Sequence, residues 1–198
     1  MNRRVLAHHL LWTGYGHWLP NDPRGSGSRF VVNADIDGLG EVHFGRKTQQ
    51  PSRHVVREFY ERADERLHYP RLIFDDAQIE TISLAFSGTI QRRSYTCYAC
   101  AILRDHAHFV IRAHRDTAEQ MIAELQSSSR LALYESGTVV MEHPVWTEKG
   151  WRVFLFTPDE IRSRIRYVEQ NPIKEGLGPQ SWPFVTKYDG WPLHKRRQ

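Results

Sequence analysis

The sequence predicts an α+β domain of the ferredoxin-like, split βαβ kind: an antiparallel sheet with helices on one face and a long insertion after the first strand. Three observations lead there. With the insertion set aside, the apolar patterning runs strand, helix, strand, strand, helix, strand, helix. The second and third strand candidates are separated only by Arg104-Asp105-His106, as in an antiparallel hairpin. The helical candidates between the strands carry apolar residues at three- and four-residue spacing, so each has one face to lay on a sheet.

Val5 to Thr13, rich in apolar and aromatic residues, reads as the opening strand. It leads into Gly14-Tyr-Gly-His-Trp-Leu-Pro20 and then a stretch crowded with Asn, Asp, Pro, Gly and Ser. The segment of about 20–50 is too long for a simple connection, which predicts a functional loop or a flap with short strands. Ser52 to Arg66 is a charged helix candidate with Val55, Val56, Phe59 and Ala63 near one face. Asp75 to Arg93 is a stronger one, with Ile79, Ile82, Leu84, Phe86 and Ile90 as its apolar face and acids at its start. The hairpin runs are Tyr95 to Leu103 and Ala107 to Ala113. Thr117 to Tyr134 follows as a helix with Met121, Ile122, Leu125 and Leu131 turned inward, and Trp151 to Phe156 as a strand. Pro158 to Gln170 is the last helix, opened by Thr157 with Glu160 three residues on and stopped by Pro172. A tail over about 178–198 ends in Lys195-Arg-Arg197. No repeat or composition break divides the chain, so residues 1–198 read as a single catalytic domain.

Composition narrows the partners. Hydrophobic residues make up 40% and charged residues 25%, the usual mix of a globular domain. The formal charge is +4, and of 27 cationic side chains 22 are Arg and five are Lys. Arg suits phosphate and base stacking, although a GC-rich coding sequence would raise Arg as well. Neither a signal peptide nor a membrane span is evident, and the only cysteines are Cys97 and Cys100, which together predict a cytoplasmic protein with no membrane partner. Cys97-Tyr-Ala-Cys100 has redox-motif spacing but falls on a strand. Residues three apart on a strand face opposite ways, so the thiols are expected to diverge as small buried groups.

Two segments carry chemistry. In His106-Ala-His108, alternation sends both imidazoles to one strand face and Ala107, Phe109 and Ile111 to the other. Phe109 and Ile111 call for a core, so the imidazoles point away from it, side by side, either as a metal-binding pair or as two half-exposed strand histidines. In the last helix, Ile161, Ile165 and Val168 form the apolar stripe. Arg164, Tyr167 and Asn171 form an adjoining one. Tyr167 therefore need not be core, while Asn171, just before proline, sits at the helix end, where its ordinary use is as a cap.

These fragments resemble the single-tyrosine HUH transposases, and in particular the REP-associated tyrosine transposase branch. The resemblance spans nearly the whole chain. It rests on Leu10-Leu-Trp-Thr-Gly-Tyr-Gly-His-Trp-Leu-Pro-Asn-Asp-Pro-Arg-Gly25, on Asp105-His-Ala-His-Phe-Val-Ile111 and on Ile165-Arg-Tyr-Val-Glu-Gln-Asn-Pro-Ile-Lys-Glu-Gly-Leu177. Ala107 is smaller than the aliphatic residue usual between the histidines, and Leu103-Arg104 stands where Met-Pro is common. The resemblance implies a divalent metal, Mg²⁺ or Mn²⁺, on His106 and His108, with Asn171 as a further ligand and Tyr167 as nucleophile. It implies transfer of single-stranded, hairpin-bearing DNA of repeat elements through a 5′-phosphotyrosine, by a mobile or a domesticated enzyme acting as monomer or homodimer. Arg104, Arg112, Arg164 and Arg166 are candidate phosphate contacts, and Tyr15 and Trp18 candidate base-stacking residues, with Trp12 expected to pack. The alternative is a non-catalytic single-stranded nucleic-acid-binding protein on the same scaffold.

Overall fold

The computed structural model of the chain describes residues 3–31, 34–45 and 47–192; the basic end at 195–197 lies outside them. Four strands, β1 (Ala7–Thr13), β2 (Cys97–Ile102), β3 (His106–Arg112) and β4 (Trp151–Leu155), form one sheet in the order β2-β3-β1-β4. Every neighbouring pair is antiparallel. The helices are α1 (Arg53–Asp64), α2 (Asp76–Arg93), α3 (Ala118–Glu135) and α4 (Pro158–Lys174). This is the predicted ferredoxin-like arrangement. Helix α2 connects β1's side of the chain to β2, and α3 connects β3 to β4.

Each long helix starts where its sequence says it should. Asp75, Thr117 and Thr157 accept a hydrogen bond from the backbone N–H three residues on, and Gln78, Gln120 and Glu160 reach back to complete a capping box. Alternation along the strands then makes two cores. Leu10, Trp12, Ile102, Phe109 and Ile111 face α2 and α3, meeting Ile79, Ile82, Phe86, Ile90, Met121 and Leu125. Leu84 and Leu131 fall out of phase with these stripes and are exposed, and Leu133 takes the core place instead.

The other sheet face is covered as well. Ala7, Ala99, Ala101, Val110 and Leu155 pack with Ile161 and Val168 of α4. The crossover helices α2 and α3 share one face as predicted, and α4 departs from that expectation. The physical reason is its apolar stripe, which needs a partner, together with the small residues Ala7, Ala99 and Ala101, which let a helix approach closely. Helix α4 also continues through Pro172 to Lys174. A proline in the last turn loses a single intrahelical bond, and its buried ring offsets part of that loss. Asn171 is therefore inside the helix, not its cap.

Two further expectations are corrected. A β-bulge between Cys97 and Ala99 inserts a residue into β2, so Cys97 pairs with Ile111 and Cys100 with Phe109. Both cysteines thus lie in the core beneath α2 and α3, free and buried, instead of diverging. The 20–50 segment has a 3-10 helix (Ala34–Leu39) and a single bridge between Ser26 and Phe44 in place of short strands, among its described residues. It is rooted on α1 through a buried charge: Tyr60 donates to Asp22 at 2.5 Å and Arg24 reaches the same carboxylate at 2.7 Å. Burial with this carboxylate pushes the Tyr60 hydroxyl well above its ordinary range.

Candidate active site

The α4 face of the sheet carries His106 and His108. In the ladder Thr13 lies opposite His106, Leu11 opposite His108 and His9 opposite Val110, so alternation puts all of these on the same face. The two imidazole centroids are 4.8 Å apart. His108 is buried, not half-exposed, because α4 covers it. Its acidity reflects that: burial, then the neighbouring His106, His9 and Arg164, hold it well below the ordinary histidine range.

Each histidine is anchored through Nδ1. His106 Nδ1 meets Asp105 Oδ1 at 2.5 Å. Burial alone would raise the Asp105 carboxyl, but the hydrogen bond and charge of His106, with His17 and Arg24 nearby, bring it below the usual carboxylate range. His108 Nδ1 meets His9 Nε2 at 3.0 Å. No hydrogen bond among the described residues involves Nε2 of either His106 or His108. An imidazole that donates its proton through Nδ1 presents a lone pair at Nε2, which is the arrangement a metal-ligating histidine needs.

Helix α4 brings Tyr167 against His108 and His9. Its ring stands edge-on to His108 at 5.7 Å and to His9 at 5.9 Å between centroids. Tyr167 is 39% exposed, so it is not part of the core. Arg164 and Lys174 place cations 5.3 and 5.9 Å from the ring centre. Because α4 leaves β4 beside Ala7 and runs back along the sheet, Asn171, one turn beyond Tyr167, lies further towards the end that holds His106. Its Nδ2 is buried without a partner. Among the described residues no group of three or more His, Cys, Asp and Glu side chains is arranged to hold a metal, so a cation on the two imidazoles would need other donors, such as an amide, water or substrate oxygens. The two Nε2 atoms are uncommitted and can donate to a cation, and imidazole nitrogens suit Mn²⁺ better than Mg²⁺; Asn171 would join them through Oδ1, not through its unpartnered Nδ2.

No protein-family profile matches the chain, and no curated protein matches it in sequence. Two solved structures follow a similar chain path. One is a REP-associated tyrosine transposase bound to a REP hairpin, at 9% identity and a TM-score of 0.47, covering 90% of this chain and 73% of that one. The other is a candidate transposase from Deinococcus radiodurans R1, at 11% identity and a TM-score of 0.40, covering 89% and 94%.

The remaining sequence candidates divide. Arg164 is at the site. Arg166 is on the exposed side of α4. Arg104 is committed elsewhere, to the Phe74 carbonyl at 2.9 Å and to Asp76 at 2.7 Å. Arg112 lies at the far end of β3, its guanidinium 3.8 Å from the Trp191 ring centre, in a cleft of about 510 Å³ shared with Arg4 and Arg115. Tyr15 packs edge-on against His143 and Tyr69, at 5.2 and 6.1 Å. Trp18 lies under Arg24 at 4.1 Å, so one of its faces is covered. Trp12 is core, as expected.

Two residues absent from the sequence reading join the site. His17 approaches Asp105 at 3.7 Å while its Nε2 meets the Leu72 carbonyl at 2.8 Å. The turn that delivers it needs Gly16, whose φ is +81° and whose missing Cβ would lie 2.9 Å from Leu67 Cδ1. His9 is the other. A histidine doublet inside an apolar strand signals that one of the two must face away from the main core, and β1 pairs with β3 on that side.

Proposed function

We propose that this protein is a metal-dependent DNA strand transferase, cleaving and rejoining single-stranded, hairpin-bearing DNA through Tyr167. The observation that carries the proposal is the meeting of Tyr167 with His108 across the α4–sheet interface, 5.7 Å between rings, from segments 59 positions apart in sequence. A partly exposed phenol against an imidazole that has a second imidazole beside it supports this reading. The nature of the DNA follows from the three sequence blocks and what their resemblance implies.

His106, His108 and Asn171 would hold the divalent cation. Bound there, it would neutralise a non-bridging phosphate oxygen and make phosphorus more electrophilic. Tyr167 Oη attacks that phosphorus as its proton passes to solvent. The phosphorus–O3′ bond breaks, and the departing oxygen takes a proton from water to become a 3′-hydroxyl. The 5′-phosphate stays on Tyr167 as a phosphotyrosine, which conserves the phosphodiester bond energy for rejoining by the reverse step. Arg164, beside the Tyr167 ring, is placed to pair with the phosphate that enters.

A second reading, a binder that does no chemistry, is favoured by one observation. The cleft of Arg4, Arg112, Arg115 and Trp191 suits backbone phosphates without any metal, six residues along β3 from His106 or about 20 Å away. Denaturing electrophoresis separates the two readings. Incubation with Mn²⁺ and a labelled hairpin carrying a single-stranded flank is expected to give a covalent protein–DNA adduct with wild type and none with Tyr167→Phe. Tyr167 is partly exposed and makes no side-chain hydrogen bond among the described residues, so losing its hydroxyl should change stability by less than about 0.5 kcal/mol. An adduct that survives in the Phe variant, or maps to another tyrosine, refutes the catalytic assignment. Salt-dependent binding with no adduct at all leaves the binder.

A further inference from the structure

We propose that His9 is a positioning residue that fixes the tautomer of His108. It accepts the His108 Nδ1 proton so that the Nε2 lone pair of His108 faces the cation site; this rests on the metal-site reading above. His9 Nε2 and His108 Nδ1 are 3.0 Å apart. The ring planes differ by 5° and the centroids are 5.2 Å apart. The nitrogen contact and the two ring radii account for nearly all of that centroid distance. The rings therefore lie edge to edge in almost one plane, with the lone pair of one nitrogen aimed along the N–H of the other, not face to face in a stack.

A neutral imidazole has one donor and one acceptor nitrogen, so the pair shares one proton across this contact. Two arrangements are available. If His9 donates, the remaining proton of His108 is on Nε2 and the ring presents an N–H to the site, which no cation can use. If His108 donates, its Nε2 is a lone pair, and His9 keeps its own proton on Nδ1. That atom is buried without a partner in either arrangement, so it does not choose between them. The second arrangement is the one that matches His106, whose Nδ1 is held by Asp105. A carboxylate thus sets one histidine and an imidazole the other. His9 has a second contact, edge-on to Tyr167 at 5.9 Å, so the same ring that sets the ligand also packs against the nucleophile.

The test has an arm that needs neither metal nor DNA. In metal-free protein labelled with ¹⁵N-histidine, long-range ¹H–¹⁵N spectra near pH 7.5 are expected to show His108 protonated on Nδ1 and bare on Nε2. His108 found with its proton on Nε2 overturns the proposal. In the second arm, calorimetric titration with Mn²⁺ compares wild type, His9→Gln and His9→Leu, with thermal melting as the check on folding. Gln offers an oxygen that accepts the Nδ1 proton and should hold affinity within about threefold, whereas Leu cannot accept and should lose roughly 10- to 100-fold. A folded Leu variant that binds Mn²⁺ as tightly as wild type also overturns it. If wild type binds no Mn²⁺, the metal reading fails, and the His108 tautomer still decides the role of His9.

Discussion

Asp105→Ala is the perturbation whose size follows most directly from the geometry. The carboxylate accepts from His106 Nδ1 at 2.5 Å and lies 3.7 Å from His17 Nδ1. It is held below the ordinary carboxylate range, so at neutral pH it is charged. Loss of such an outer partner costs roughly 10- to 100-fold in metal affinity, or about 1.4–2.7 kcal/mol. The hydrogen bond to a charged acceptor gives a similar figure of about 1.5–3 kcal/mol. The side chains of His106 and Asp105 are 15% and 28% exposed, and solvent screening pulls the value to the lower half of that range. The expected loss is therefore about ten- to thirtyfold for Ala. Asp105→Asn keeps an acceptor oxygen without the charge and should lose about threefold. The fold should survive both changes, because it is the Asp105 carbonyl that takes the Gly14 N–H, at 2.7 Å. The assay is calorimetric titration with Mn²⁺ alongside a melting curve. A folded Ala variant that binds within twofold of wild type refutes the account of how His106 is held.

Acid should destabilise the protein early. His8, His9, His17 and His108 are buried and pulled below their ordinary value of 6.5, His9 to about 3. The unfolded chain takes up protons below pH 6.5 and the folded chain does not. Their contribution is thus complete above that pH and is lost as pH falls, by up to about 1.4 kcal/mol per pH unit for each histidine. Urea midpoints should drop between pH 7 and pH 5, and a flat profile would contradict the burial of these rings. Arg112→Ala should weaken binding of single-stranded DNA at every sequence and reduce the slope of log affinity against log salt by about 1, whereas an unchanged slope would remove its cleft from the DNA path. Burial pushes the thiols of Cys97 and Cys100 far up, so neither should react with a thiol reagent in the native protein and both should react in denaturant.

The parts of this structure legible in the sequence are those set by short-range periodicity. Alternation alone placed His106 and His108 on one face, and three- and four-residue spacing placed Arg164, Tyr167 and Asn171 on one stripe. What stayed hidden depends on partners far away in the chain. His9 and His108 are 99 residues apart, and the pairing of β1 with β3 is what joins them. A single inserted residue in β2 reverses the expected direction of Cys97 relative to Cys100, and nothing in Cys97-Tyr-Ala-Cys100 announces the bulge. The layer to which α4 belongs was equally unreadable, since an apolar stripe says that a helix needs a partner but not which side of the sheet supplies it. Arg104 shows the same limit: its charge was evident, whereas its commitment to Asp76 and the Phe74 carbonyl depends on how α2 begins.

Strand β1 has an implication for how this protein can change. Sandwiched between β3 and β4 and covered on both sides, it serves two masters in alternate letters: Leu10 and Trp12 belong to the interior, while His9, Leu11 and Thr13 line the layer in which chemistry is proposed. An insertion or deletion of one residue would exchange those roles wholesale, sending His9 into the oil and Trp12 into the site. Point substitution is the only gradual route open to it. The strand is then a segment in which drift is confined to single letters and length is frozen, even as the long insertion that follows has room to vary.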